Sequence, residues 1–237
     1  MKANRNPDPR ECGGTFIDLI VIVAVVVGAA MIILPMLARP KGHSTQIRCI
    51  NNMKQVAMGL RLSANDNDSR YPDASTNITS ATELWKLFQF AQNDISDPRI
   101  LVCSGDTDRA PAADFLTGSG SSSDSFAHAS KRNLALSYFY AAGADEGFPS
   151  RILIGDRNFT RDPKRSDQSP GTNPLTGTQR LGSTTNELWH LRWSSKIHDR
   201  GGNVAFMDGS AQQLTSQKLR DALGKTGDTN NLVWLPQ

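Results

Sequence analysis

Residues 19–38 read LIVIVAVVVGAAMIILPMLA, twenty positions without a charge. At helical rise such a run spans roughly 30 Å, about the thickness of a bilayer core. It is apolar on every side, whereas a helix lying on the core of an ordinary domain needs only one apolar stripe. The pattern predicts a membrane span extending from Phe16 to Ala38. The run exceeds the roughly 7–15 apolar residues of a secretory signal peptide. Arg39-Pro40-Lys41 follows directly, where a small-residue cleavage site would fall, so an uncleaved span is expected. Two residues interrupt it. Asp18 sits just inside the N-terminal edge, where an ionisable group marks function by default. Pro35 sits near the C-terminal end, where it removes a helix hydrogen bond and is expected to bend the helix.

Outward from this run the chain divides into four parts. Residues 1–13, MKANRNPDPRECG, are polar and proline-containing and read as an unpacked leader. Residues 14–38 hold the span. Residues 39–68 read as an amphipathic helix, with Ile47, Ile50, Met53, Ala57, Leu60 and Ala64 forming one stripe. Asn65-Asp66-Asn67-Asp68-Ser69 stops it, since these side chains compete for backbone groups. Residues 69–237 then supply one domain of ordinary size.

Within that domain Ser80-Ala81-Thr82-Glu83 has the pattern of a capping box, opening a helix with Leu84, Leu87, Phe88 and Ala91 on one face. Ile100–Cys103, Leu134–Tyr140 and Arg151–Gly155 read as short strands. Thr117–Ser125 is a Gly/Ser-rich loop, and 160–186 is a long irregular excursion of the kind that forms binding loops. Asn203–Met207, Asp208-Gly209 and Ser210–Leu214 read as a hairpin with a type I′ turn. Ser216–Leu223 reads as a short helix and Asn231–Leu235 as a last edge strand. The sum is an α+β fold: a long N-terminal helix, half spanning and half amphipathic, packed on a small antiparallel sheet with short extra helices.

The bulk numbers exclude several classes. A net charge of +3, with basic residues scattered, gives no nucleic-acid footprint. Three cysteines are too few for a disulfide scaffold. G-x-S-x-G, P-loop, H-E-x-x-H and C-x-x-C patterns are missing, so neither an enzyme nor a cofactor is expected. His190, His198, Asp199 and Asp208 do not have zinc-site spacing, and no metal is expected. Asp66-Asn67-Asp68 lacks the glycine and distal Glu of an EF-hand loop. Trp85, Trp189 and Trp193 read as core. Cys49 and Cys103 are either a disulfide clamping the long helix to the first strand or two buried thiols.

Gly13-Gly14-Thr15-Phe16-Ile17-Asp18 before a span resembles the type IV pilin and pseudopilin signature. In that family a peptidase cuts after a Gly, and a Glu stands fifth in the mature chain. Asp18 falls fifth after Gly13, with Gly14 in place of the usual Phe, and Pro35 falls twenty-second. His198 and Asp208-Gly209, with nine residues between them, are similar to the H-x9-DG segment of pilin-like proteins. Arg48–Gln55, Ala64–Asp68 with Tyr71-Pro72, and Leu101–Asp106 are similar to other segments of those proteins.

The resemblance implies cleavage between Gly13 and Gly14 by a prepilin peptidase, N-methylation, and Asp18 and Pro35 in an assembly helix. It implies a structural subunit that joins other pilin-like subunits of a type II secretion or pilus-like filament. Before assembly such a subunit is held in the inner membrane by one span, with its C-terminal domain periplasmic or extracellular. The flanking charges point the other way: Arg39, Lys41, Arg48 and Lys54 outweigh the leader's Lys2, Arg5 and Arg10, partly offset by Asp8 and Glu11. In the H-x9-DG segment Asp208-Gly209 is expected to make the turn, while His198 pins the strand entry or packs beside Trp193. The alternative function is a membrane-anchored, exported ligand-binding or sensing domain that uses the 160–186 loop and Trp189–Trp193.

Overall fold

A computed structural model describes residues 16–37, 41–162 and 174–237. The chain separates into two compact units, Met1–Lys41 and Gly42–Gln237.

The described part of the first unit is dominated by one helix, α1 (Phe16–Leu37). At 1.5 Å per residue its 22 residues run roughly 33 Å. The window Phe16–Ile33 has a mean hydropathy of 3.0, and none of it is buried. Length and composition suit a membrane anchor or a signal sequence. Asp18, in the first turn, is the one ionisable residue of α1, and Pro35 lies inside the helix.

In the second unit a six-stranded sheet is covered on both faces. Its strands are β1 (Tyr138–Ala141), β2 (Ile152–Asp156), β4 (Gly177–Arg180), β6 (Gly201–Phe206), β7 (Ala211–Thr215) and β8 (Leu232–Leu235). Their order is β4-β8-β1-β2-β6-β7, antiparallel throughout. A separate pair joins β3 (Phe159–Arg161) to β5 (Leu191–Trp193).

Side-chain alternation sorts the sheet residues into two cores. Tyr138, Tyr140, Ile154, Ala205 and Trp234 join the first core, with Met53, Val56 and Leu60 of α2 (Lys41–Asn65) and Leu84, Leu87 and Phe88 of α4 (Leu84–Phe90). Phe139, Val204, Phe206, Val233 and Leu235 join the second, with Leu219 and Leu223 of α7 (Ser216–Gly224) and Leu188 of α6 (Thr185–Leu188). A register shift between Ile152 and Ile154 lets Leu153 and Ile154 both enter the first core. Two further short helices, α3 (Pro72–Thr76) and α5 (Gln92–Ile95), flank α4 in sequence.

Several expectations are revised. Ile47 is 59 % exposed. At 100° per residue it lies roughly 140° around α2 from Leu60, so the buried stripe runs through Cys49, Met53, Val56, Ala57, Leu60 and Ala64 instead. Ile100–Cys103 is not a strand. Pro98 opens a 3-10 turn over Pro98–Leu101, and the Asp97 side chain accepts from the Arg99 N–H at 2.9 Å. Another 3-10 turn occupies Arg132–Ala135, so β1 begins only at Tyr138.

At Ser80 the side chain accepts from the Thr82 N–H, while Glu83 turns to Lys86. The reciprocal capping box lies at Thr184 and Glu187 instead, opening α6. Within 160–186, residues 163–173 lie outside the described part, and Gly177–Arg180 forms β4. That strand leaves β8 between β4 and β1 rather than at an edge. Trp193 is fully buried, Trp85 is half-buried, and Trp189 is 56 % exposed, outside the core.

The hairpin forms, but with a different turn. Gly209 has φ +83° while Asp208 does not enter the left-handed region. The Gly209 N–H donates to the Phe206 carbonyl, and the Phe206 N–H to the Ser210 carbonyl. This is a turn through Met207-Asp208 closed by a left-handed glycine, not a type I′ turn. Arg61 of α2 donates to the Asp208 carbonyl at 3.0 Å and ties the turn to the helix.

A Cβ on Gly202 would come within 2.6 Å of the buried Trp193 ring. Gly202→Ala is expected to lower stability by about 1–3 kcal/mol through overpacking. In urea unfolding of the solubilised chain, the midpoint should fall with an unchanged slope.

Candidate functional site: a buried Cys-His-Asp cluster

One row of residues crosses three strands on the first-core face. Tyr138 of β1 stands opposite Asp156 of β2. One step beyond the Gly155–Val204 pair, the Asn203 N–H of β6 donates to Asp156 Oδ2 at 2.7 Å. Paired residues project to the same face. All three are fully buried. Polar side chains at such positions need partners, and an unmet one costs roughly 1–3 kcal/mol. Yet Asp156 Oδ1, the Tyr138 hydroxyl and both side-chain polar atoms of Asn203 have no hydrogen-bond partner among the described residues.

His198 enters from the turn that precedes β6. Asp199 and Arg200 have φ +31° and +62°, and the Gly201 N–H returns to the His198 carbonyl at 3.3 Å. Two successive non-glycine residues in that region are strained. Their turn leaves the imidazole 4 % exposed. Its Nε2 lies 3.2 Å from Cys103 Sγ and 3.4 Å from Asp156 Oδ2. Cys103 is joined to Cys49 of α2 by a disulfide with a Cα–Cα distance of 5.1 Å. Both cysteines are fully buried. The bridge fastens α2 to the segment that enters the sheet layer.

An ion pair holds that segment from the other side. Arg157 forks onto Asp106, donating from Nε to Oδ2 and from Nη2 to Oδ1, both at 2.7 Å. Asp106 and Arg157 are 5 % and 7 % exposed, so the pair is a buried bidentate clamp. Asp108 extends it outward to Lys196 at 2.9 Å. The hydrogen bond from Lys196, followed by its charge, holds the Asp108 carboxyl below its usual range.

Burial sets the protonation of the inner pair. Removal from water pushes Asp156 up to about 8, opposed by the hydrogen bond from the Asn203 backbone. Removal from water pushes His198 down to about 4, opposed by the Asp106 charge. Near neutrality the cluster therefore holds a protonated carboxyl beside a neutral imidazole.

The candidate residues read from the sequence are placed as follows. Gly13 and Gly14 lie outside the described residues. Asp18 and Pro35 lie in α1. His198 and Asp208 stand before and after β6 and do not meet; Asp208 accepts from the Ser210 N–H in the hairpin turn. His198 is not beside Trp193: its neighbours belong to the first core, while Trp193 belongs to the second. His190, His198, Asp199 and Asp208 do not gather. Among the described residues the ligating group that converges is Cys49, Cys103 and His198. The role of Asp156 was not legible in the sequence. Its one signal is an acid ending the apolar run Ile152-Leu153-Ile154-Gly155.

The cluster is closed, so it offers sulfur, imidazole and carboxyl to small species rather than to a large substrate. An open cleft of about 430 Å³ lies elsewhere, lined by Leu188, Trp189, Gln217, Arg220, Asp221 and Lys225. No family model, curated protein or solved structure matches the chain.

Two outcomes are expected. Replacing Cys49 and Cys103 together by Ser should lower the unfolding free energy by about 2–4 kcal/mol, read by denaturant titration. Stability should also fall between pH 7 and pH 8. The folded state holds the Asp156 proton up to about 8, while the unfolded carboxyl has lost it well below that. His198, depressed in the fold, acts in the opposite direction, but only between about 4 and its ordinary value. The loss should be roughly 1 kcal/mol over that unit. Thermal unfolding of Asp156→Asn should be flat over the same interval.

Proposed function

We propose that this chain is a structural, pilin-like subunit of the pseudopilin kind, stored in the inner membrane by α1 and incorporated into a filament through it. The carrying observation is α1 itself: 22 residues, unburied across Phe16–Ile33, with one acid in the first turn. An amphipathic α2 and a small antiparallel α+β domain follow, in the order that the resemblance implies. In this reading a prepilin peptidase removes residues 1–13 and methylates Gly14. Asp18 then receives the terminal amine of a neighbouring subunit inside an apolar bundle. A charge there is tolerated only when paired, so the acid selects register. The Cys49–Cys103 bond supports placing the domain on the oxidising side, against the lean of the flanking charges.

A second reading, an anchored and exported binding domain, is favoured by the open cleft beside the exposed Trp189. Mass spectrometry of the membrane-extracted chain separates the two. A methylated N-terminus at Gly14 is expected for the subunit, whereas an intact leader favours the anchored domain. Asp18→Ala should insert normally and fail to assemble, and its incorporation into filaments at the wild-type level would remove Asp18 from that role. In the uncleaved precursor, thiol labelling should reach Cys12 from the cytoplasmic side only.

A further inference from the structure

The Cys49–Cys103 bridge has an unusual neighbour for a purely mechanical staple. His198 Nε2 is 3.2 Å from Cys103 Sγ, and Asp156 Oδ2 is 3.4 Å from that same nitrogen. A tetrahedral zinc site has metal–ligand bonds of about 2.0–2.3 Å, which set ligand–ligand edges of roughly 3.3–3.8 Å. Two edges of such a tetrahedron are thus already close to those lengths in the oxidised chain. The Cys49, Cys103 and His198 ligand atoms lie within 4.8 Å of one another, and all three residues are buried. For a tetrahedron the two sulfurs must part, and Asp156, which lies outside that three-residue group, must draw its carboxylate toward them.

We propose that, once the disulfide is reduced, Cys49, Cys103, His198 and Asp156 form a four-coordinate site for a zinc-class divalent cation. The ligand chemistry fits that class, since two thiolates, an imidazole and a carboxylate are its usual donors. Supporting contacts are in place. The Gly105 N–H points at Cys103 Sγ from 3.4 Å, and the Asn203 N–H holds Asp156 Oδ2 at 2.7 Å. Such outer hydrogen bonds orient ligands and stabilise their charge. The orphaned Asp156 Oδ1 gives the carboxylate a second acceptor atom with no competing partner among the described residues. Charge also balances better with the ion than without it. Two bare thiolates in a dry pocket are costly, whereas a divalent cation neutralises them.

A water-soluble phosphine gives two electrons to the disulfide and becomes a phosphine oxide. Water supplies that oxygen and the two thiol protons. The cation then displaces both thiol protons, and the carboxyl proton too, into solvent. Reduction and metal uptake so convert a covalent bridge into a metal bridge, each fastening α2 to the segment at Cys103.

The test uses the full chain in detergent, reduced with the phosphine and titrated with Co²⁺ as the spectroscopic stand-in for Zn²⁺. One equivalent should produce sulfur-to-cobalt charge transfer and the intense visible bands of a tetrahedral site. The oxidised chain should produce neither. Zn²⁺ should bleach the signal and return to the reduced chain most of the thermal stability lost on reduction. His198→Gln should weaken Co²⁺ binding by about 100-fold or more, and Asp156→Asn by about 10–100-fold. Asp208→Ala, remote from the cluster, should leave binding unchanged.

Wild-type reduced chain that gives no tetrahedral spectrum overturns the proposal, whether or not it stays folded. So does a spectrum that survives both substitutions at full affinity. Should His198→Gln fail to fold by circular dichroism, the nearly isosteric Asp156→Asn and the wild-type titration decide the matter. The site does not depend on filament assembly, so leader cleavage and Co²⁺ binding can succeed or fail separately.

Discussion

A sheet that is apolar on both faces must be covered twice, and the whole second unit follows from that constraint. β1, β2 and β6 are buried over nearly their full length, so apart from the polar row of Tyr138, Asp156 and Asn203 they carry apolar side chains or glycine. One face takes α2 and α4, from the N-terminal two fifths of the chain, and the other takes α6 and α7, from the C-terminal quarter. Neither layer is close in sequence to every strand it covers. The fold therefore relies on long-range fastenings where the layers meet, and the disulfide and the Asp106–Arg157 fork are two of them.

Those fastenings surround the least comfortable group in the domain. Asp156 lies fully buried on a sheet face, and a strained turn brings a histidine to within 3.4 Å of it. Burial keeps both uncharged near neutrality rather than making them a strong ion pair. Stability alone does not account for a polar row with several unmet hydrogen-bonding atoms. Proximity to sulfur gives the row a chemical identity as well as a structural one.

Much of the architecture was legible because its signals are local. The charge-free run fixes α1, the Asn/Asp-rich stop fixes the end of α2, and Asp208-Gly209 fixes the last hairpin. The failures share a cause. Ile100–Cys103 has strand composition, but Asp97-Pro98 just before it imposes a helical turn. Gly177–Arg180 has no apolar signal, because an edge strand paired with β8 on one side needs none. The site was half legible. His198 stands out by its spacing from Asp208-Gly209, yet its true partners, Cys103 and Asp156, are 95 and 42 residues away along the chain. No periodicity carries information across such distances.

The two ends of the sheet limit how copies of this domain can meet. β4 and β7 are short, at 4 and 5 residues, and their exposed positions carry polar residues such as Thr178, Arg180, Gln212 and Gln213. Arg161 also occupies the carbonyls of Arg180 and Leu181. Sheets with such margins resist strand-to-strand growth from molecule to molecule. A concentrated population of these domains is therefore poorly templated for cross-β growth at either end of this sheet.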